Sequence, residues 1–379
     1  MEKLVLRKKK RSIARDYITY AIVIALGVLF LVLSSSGKLS RSNKGLLVPV
    51  CVYVTAAVAL NLVVGISGEL SLGHAGFMSI GAFSGAVFCH LFMAIPNDIV
   101  KMIAVMLCAG LVAAFFGILI GIPVLRLQGD YLAIVTLAFG EIIMNLLNCV
   151  YLGYDAEGWH FSFTKSLSME GGTAVLSGPM GVTGNKKIAT FTVGIILVLF
   201  ALFVVLNLAR SKTGRSIMAI RDNRIAAESI GLSAGKYKII AFAVSAFLTG
   251  MAGALYGMNY ASFAPSKFSF NTSILLLVFV VLGGIGNIRG SVFAAIILTV
   301  LPEKLRDLRL DDYRMLIYSL VLIAMMLFTN APWGKQLISS ISGFFRNRKE
   351  TDGQAAEAPA KRSVPDEASA GESVEEEVK

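Results

Sequence analysis

The stretch KMIAVMLCAGLVAAFFGILIGIPVL, residues 101–125, carries a single charge, and that at its first position. A helix rises about 1.5 Å per residue, and roughly 20 apolar residues cross a hydrocarbon core. This stretch therefore reads as a membrane-spanning helix. Blocks of the same kind recur on both sides of it. Of 379 residues, 56% are hydrophobic and only 16% are charged, with a mean hydropathy of +0.73. Soluble chains carry about a quarter charged residues, and one soluble core of this size could not hide so much apolar surface. The bilayer itself is the solvent.

Parsed for blocks of this kind, the sequence predicts an all-α, polytopic transmembrane helical bundle of about ten spans. They are roughly 17–34, 46–65, 71–93, 101–125, 131–151, 189–209, 239–260, 272–284, 287–302 and 313–329. The eighth and ninth meet at Gly283-Gly284-Ile285-Gly286-Asn287-Ile288-Arg289-Gly290, either a tight turn or an interruption in one long helix. Charge parity favours the turn. With ten spans the basic N-terminus (1–16), the basic loop 210–238 and the cluster Arg346-Asn347-Arg348-Lys349 all share the cytoplasmic side; with nine, the last is outside. Lys38, Arg41 and Lys44 in the first external loop run against that parity.

The body of the protein is then 17–345, flanked by a cytoplasmic basic N-terminus and a tail. The net charge of +11 divides unevenly, since Glu350–Lys379 carries −6 and leaves +17 for the rest. The tail, 346–379, is rich in Ala, Glu, Ser and Pro without aromatics, a composition expected to be disordered. The positive charge lies beside apolar spans, as the topology rule requires, so it does not call for nucleic acid. Met1–Arg15 precedes the apolar run Tyr17–Leu33 with no small-residue cleavage site, which suits a first span better than a removable signal. Cys51, Cys89, Cys108 and Cys149 all lie in apolar stretches without metal-ligand spacing and read as packing residues.

Several places could carry chemistry. Gly81/Gly85, Gly117/Gly121, Gly253/Gly257 and Gly286/Gly290 have the small-xxx-small spacing that lets helix backbones touch in lipid. Gly65–Phe77 sets Glu69 and His74 in a glycine- and serine-rich break between two spans. That break is either a solvated turn or an interrupted helix aiming backbone groups at a solute. Glu141 lies near the middle of the fifth span, where a carboxylate costs about 2.5–3.5 kcal/mol on insertion scales. It must face protein or a water-filled path, either as a functional group or as a hydrogen-bonded lock between helices. Asp130 precedes that span as an N-cap. In 211–238, Ile217, Ile220, Ala227 and Ile230 fall at helical spacing opposite basic residues, with Gly231 as terminator. Such a helix lies on anionic lipid or docks into a partner; Asp222 and Glu228 favour docking.

Absences narrow the function. There is no G-x-x-x-x-G-K-[ST] phosphate loop, so ATP is not expected to bind this chain by that route. Neither H-E-x-x-H nor G-x-S-x-G occurs, and His74, His90 and His160 are far apart, which disfavours a metalloenzyme or hydrolase. No metal or cofactor is expected.

Leu60-Asn61-Leu62 through Gly81-Ala82-Phe83 resembles the signature of the branched-chain amino-acid permease family. Gly129-Asp130-Tyr131-Leu132-Ala133-Ile134-Val135-Thr136-Leu137-Ala138-Phe139-Gly140-Glu141-Ile142 is similar to its LivM-type subunit in particular. Ser211-Lys212-Thr213-Gly214-Arg215 through Ala226-Ala227-Glu228-Ser229-Ile230-Gly231, and Val281–Asn287, match as well. The resemblance covers most of 55–305; its glycine-rich parts are shared with monosaccharide and urea permeases. It implies a subunit of an ATP-binding-cassette importer in a bacterial or archaeal inner membrane. The implied partners are a homologous LivH-type permease in a heterodimer, two cytoplasmic ATPase subunits that bind ATP and Mg, and an extracytoplasmic amino-acid-binding protein. The cytoplasmic loop then becomes the coupling element, with Gly214, Arg215, Arg221, Ala226, Ala227, Glu228 and Gly231 facing the ATPase. Glu141, Asp130, Glu69, His74 and Thr136 become substrate-path candidates. Ser177-Gly178-Pro179-Met180-Gly181 departs from the family's usual G-G-P-N-G in a long external loop. The rival readings are a permease of the same architecture for urea, amides or monosaccharides, and an ion-coupled secondary transporter that needs no ATPase.

Overall fold

The computed structural model describes residues 19–32, 36, 41–127, 129–155, 158–163, 173–307, 316, 319, 320 and 323. The chain divides into two units, Met1–Ser319 and Leu320–Lys379, and every element named below belongs to the first. Of the second, only Leu320 and Ile323 are described. The expected basic N-terminus, the acidic tail and most of the tenth span lie outside the described residues.

Apolar runs become helices where the sequence places them. In chain order they are α1 (Thr19–Val32), α2 (Arg41–Asn61), α3 (His74–Leu91), α4 (Asp98–Val124), α5 (Asp130–Asn148) and α6 (Phe191–Arg210). Then come α7 (Lys212–Asp222), α8 (Arg224–Ser229), α9 (Ala234–Asn259), α10 (Phe270–Gly283) and α11 (Ile288–Asp307). A six-residue π-helical segment, Leu62–Ser67, continues α2. Among the described residues, six helical segments are long and apolar enough to cross a membrane: Lys44–Ser67, Asp98–Val124, Asp130–Asn148, Phe191–Arg210, Ala234–Asn259 and Pro265–Gly283.

The centre of this unit is α3 against α9 and α4. Of the 18 residues of α3, 13 are buried. Glycine makes the approach possible. A Cβ on Gly81 would strike the Gly250 backbone, one on Gly253 the Met78 carbonyl, and one on Gly85 would press on Ala254. Gly117 meets Ala246 and Gly257 meets the Ala82 carbonyl. Four of the small-xxx-small positions are therefore backbone contacts between helices, where dispersion replaces the missing hydrophobic drive. Gly286/Gly290 is different: Gly286 (φ +80°) lies in the α10–α11 turn, and Gly290 abuts the Gly283 carbonyl. Gly283–Gly290 is thus a tight turn, not a kink in one helix.

Three expectations are corrected. The chain is not purely α: the long loop after α5 folds into three antiparallel strands, β1 (Val150–Asp155), β2 (Gly158–Phe163) and β3 (Thr173–Ser177), in the order β2-β1-β3. Trp159, Phe161 and Phe163 alternate along β2 with their side chains exposed, a period-2 signal that lay unread within a loop. Val175 and Leu176 of β3 are buried, and Val182 exchanges backbone hydrogen bonds with Phe263. Nor is 211–231 one helix. It breaks at Asn223, whose side chain accepts from the Ala226 N–H and caps α8. Ile217, Ile220 and Ala227 are buried as their spacing predicts, but Ile230 is 75% exposed because α8 has already ended. Gly231 follows at φ +88°, a left-handed residue just past the helix. Cys149 is exposed at the end of α5, so it is not a packing residue.

Candidate functional site: a polar junction in the broken α2–α3 segment

Between Asn61 and His74 the chain passes from α2 through a π-helix and an open turn into α3. π-helical turns leave backbone groups without regular partners and recur at functional sites. Here those groups, and the polar side chains beside them, are taken up by five distant elements.

Asn61 is fully buried. Its Nδ2 donates to Ser291 Oγ at 2.7 Å and its Oδ1 accepts from the Gly286 N–H at 2.9 Å, fixing the α10–α11 turn to the end of α2. A Cβ on Gly65 would land on that Asn61 oxygen and the Gly286 nitrogen, so only glycine fits. The Gly65 carbonyl accepts from Arg221 Nη1 of α7 at 2.9 Å. Gly68, at φ +76°, closes the π-helix and lies against the Arg221 stem.

Glu69 forms an ion pair with Lys238 of α9, the two side chains being 12% and 9% exposed. Leu72 donates its N–H to Thr136 Oγ1 of α5 at 3.0 Å, and Thr136 in turn donates to the Ala133 carbonyl. His74 is buried with both ring nitrogens engaged, Nδ1 with Ser71 Oγ at 3.3 Å and Nε2 with Ser245 Oγ at 2.7 Å. The Ser245 hydroxyl spends its hydrogen on the Ala59 carbonyl at 2.6 Å, so the imidazole must donate from Nε2. Phe77 and Phe242 stand edge-on around the ring, with centroids 5.8 and 6.3 Å away.

Three of the sequence candidates therefore converge: Glu69, His74 and Thr136 share this junction. The solvated-turn reading of Glu69 and His74 fails, because both are enclosed by α9. Sequence reasoning missed Asn61, Ser245 and Ser291 as partners, although each is a polar residue inside an apolar span, where such groups are costly and usually bonded. Lys238, counted among the basic loop residues, is instead a buried residue of the second turn of α9.

The other candidates lie elsewhere. Asp130 is the first residue of α5 and is exposed; Gly129, at φ +61°, occupies the cap position, so Asp130 offers its charge to the helix dipole without a capping bond. Glu141 reaches the start of α10, where its Oε1 accepts from the Phe270 N–H at 2.7 Å. A helix N-terminus carries partial positive charge and unpaired N–H groups, which stabilise a carboxylate there. Of the residues expected on the ATPase side, Arg215, Arg221, Ala226, Glu228 and Gly231 are exposed. Gly214 is buried against the last carbonyls of α6, and Ala227 packs with Ile220 and Ala234. Glu228 pairs with Arg224 at 3.0 Å.

Residues 44–337 match the family described as the branched-chain amino acid transport system permease component. The high-affinity branched-chain amino acid transport system permease protein LivM of Salmonella typhimurium is 36% identical over 307 residues, covering 76% of this chain and 69% of that protein. LivM of Escherichia coli gives the same identity and coverage. BraD of Pseudomonas aeruginosa, also a branched-chain amino acid permease protein, is 26% identical over 279 residues, covering 73% and 89%. No solved structure matches the chain. With most of its spans inside the matched region, the chain belongs to the branched-chain amino acid transport system permease family.

Proposed function

We propose that this chain is the membrane-spanning permease subunit of an ATP-binding-cassette importer for branched-chain amino acids, leucine, isoleucine and valine. The observation that carries the reading is the 36% identity to LivM-named permeases over three quarters of the chain. It sits in a bacterial or archaeal inner membrane with about ten spans and pairs with a LivH-type permease. Two cytoplasmic ATPase subunits hold ATP and Mg, and an extracytoplasmic binding protein delivers the solute. α7 and α8 form the coupling helix pair on the cytoplasmic side, offering Arg215, Ala226 and Glu228 to the ATPase. Closure of the ATPases reorients the spans around a midplane path in alternating access, with Glu141 of α5 at its wall and Asp130 at its cytoplasmic end. The acidic tail extends into the cytoplasm.

What supports the mechanism physically is the contrast along 61–74. A permease must move helices against one another without exposing unsatisfied backbone in lipid, and in this break Asn61, Glu69, His74, the Gly65 carbonyl and the Leu72 N–H are each bonded to a distant element. The test is uptake of labelled leucine into vesicles, with ATP, by the complex purified from native membranes. Competition by isoleucine and valine, and not by urea or monosaccharides, is expected. Competition by a sugar alone would transfer the reading to a monosaccharide permease. Ion-driven uptake by the purified chain without any ATPase would end it.

A further inference from the structure

The contacts that hold the broken segment differ sharply in exposure. His74, Ser71, Ser245, Asn61, Thr136 and Ser291 are buried, and the Glu69–Lys238 pair is nearly so. Arg221 is 38% exposed, and its partner Asp222 is 66% exposed. A buried bond that opens leaves a group unsatisfied, whereas one at the surface exchanges with water at small cost. The interior contacts are therefore fixed, and the part-buried bond from Arg221 to the buried Gly65 is the one that runs from them to the surface.

Arg221 is also built as a lever. Its Nε and Nη2 both donate to Asp222 Oδ1, at 3.0 and 2.8 Å, which sets the plane of the guanidinium on its own helix. Nη1 is left to reach Gly65. Lysine, a point charge without a fork, could not hold both partners. The rest of α7 is tied down: Gly214 lies on the Leu208 carbonyl and the Ala209 backbone, and Ile217 and Ile220 are buried. At the receiving end, Gly65 has no slack, since its α-carbon faces Asn61 Oδ1 and the Gly286 nitrogen. A shift of the Gly65 peptide must pass to the α10–α11 turn on one side and along 66–74 into α3 on the other.

We propose that Arg221 is the positioning residue that transmits displacement of α7 into the membrane body, with the Gly65 carbonyl as its receiver and the buried Glu69–Lys238 and His74–Ser245 contacts as the rigid backing. The proposal rests on the reading of α7 as the helix that docks on an ATPase.

The test uses the complex purified from native membranes and reconstituted in liposomes, measuring leucine uptake per ATP hydrolysed. Arg221→Lys and Arg221→Gln should retain the ATPase subunits through size exclusion and hydrolyse ATP within about twofold of the parent. Uptake per ATP should fall at least about tenfold. Asp222→Ala, which removes the acceptor and frees the guanidinium without removing it, should fall by less in the same ratio; it serves as the readout if neither Arg221 variant reaches the membrane. Arg215→Gln, on the exposed side of α7, should instead lose ATPase subunits. Should uptake per ATP stay at the parent value in the Arg221 variants while Arg215→Gln loses its ATPase, the relay is wrong and the docking reading stands. Loss of the ATPase from the Arg221 variants would make Arg221 a docking residue and overturn the relay. If the Arg215 and Arg221 variants both behave as the parent, α7 does not dock, and the relay goes with that reading.

Discussion

Glu69, in the open turn before α3, is paired with Lys238 on the second turn of α9, and both side chains are all but closed to solvent. A buried ion pair adds little over an apolar pair of the same size, but removing one partner strands the other charge, at about 3–5 kcal/mol. Lys238→Met should therefore lower the thermal midpoint of the detergent-purified protein markedly. The double variant Glu69→Gln with Lys238→Met should recover much of that loss. Thermal denaturation followed by size exclusion decides it; a double variant worse than either single one would contradict the pairing.

The His74–Ser245–Ala59 chain should behave as one unit. Ser245→Ala strands the imidazole donor and the Ala59 carbonyl together, costing about 1–3 kcal/mol. His74→Ala in that background should add less than it costs alone, giving a coupling of about 0.5–3 kcal/mol in a double-mutant cycle. Additive losses would mean the two side chains do not interact.

Glu141 separates charge from capping. Glutamine keeps an oxygen that can accept from the Phe270 N–H, while alanine does not. If Glu141 only ties α5 to α10, Glu141→Gln should transport normally and Glu141→Ala should lose protein level. The substrate-path role requires Glu141→Gln to reduce leucine uptake by more than it reduces membrane abundance, and that is the expected result.

Two glycines give opposite outcomes for one substitution. Gly253→Ala would place a methyl group on the Met78 carbonyl and should push α3 and α9 apart, lowering stability by about 1–3 kcal/mol. Gly235, in the first turn of α9, has open space around it and an ordinary helical φ. Gly235→Ala should be neutral or stabilising by up to about 1 kcal/mol. Thermal midpoints of both variants check this, and a Gly253→Ala protein as stable as the parent would refute the close α3–α9 contact.

Glu228 and Arg215 are both exposed, Glu228 alongside Arg224. Exchanging Arg215 for glutamine or Glu228 for alanine should leave membrane insertion intact and reduce ATP-driven uptake. Normal uptake by both variants in vesicles would remove them from the ATPase interface.

Much of the helical layout was legible in the sequence because a spanning helix is a local property. Apart from the end turns, the backbone groups of 101–125 are satisfied within that segment, so length and apolarity suffice. The strands after α5 were not legible because a sheet needs a partner: Val150–Asp155 is a strand by virtue of Gly158–Phe163 and Thr173–Ser177 lying on either side of it. The glycine-rich break similarly marked Glu69 and His74, and the family resemblance Thr136, without saying that they share one site. Lys238 was misplaced because a charge near a helix start looks solvated until its partner is found.

What the chain's order of residues determined alone is that it lives in a bilayer and roughly where most of its described apolar helices run. Each follows from local free energies of hydration and backbone satisfaction. Only the tertiary structure decided which of the polar residues meet. Asn61 with Gly286, Gly65 with Arg221, Glu69 with Lys238 and His74 with Ser245 are separated by 150 residues or more in sequence, and no periodicity encodes a contact over that distance. For the buried members, the penalty for leaving a polar group unpaired is what brings them together.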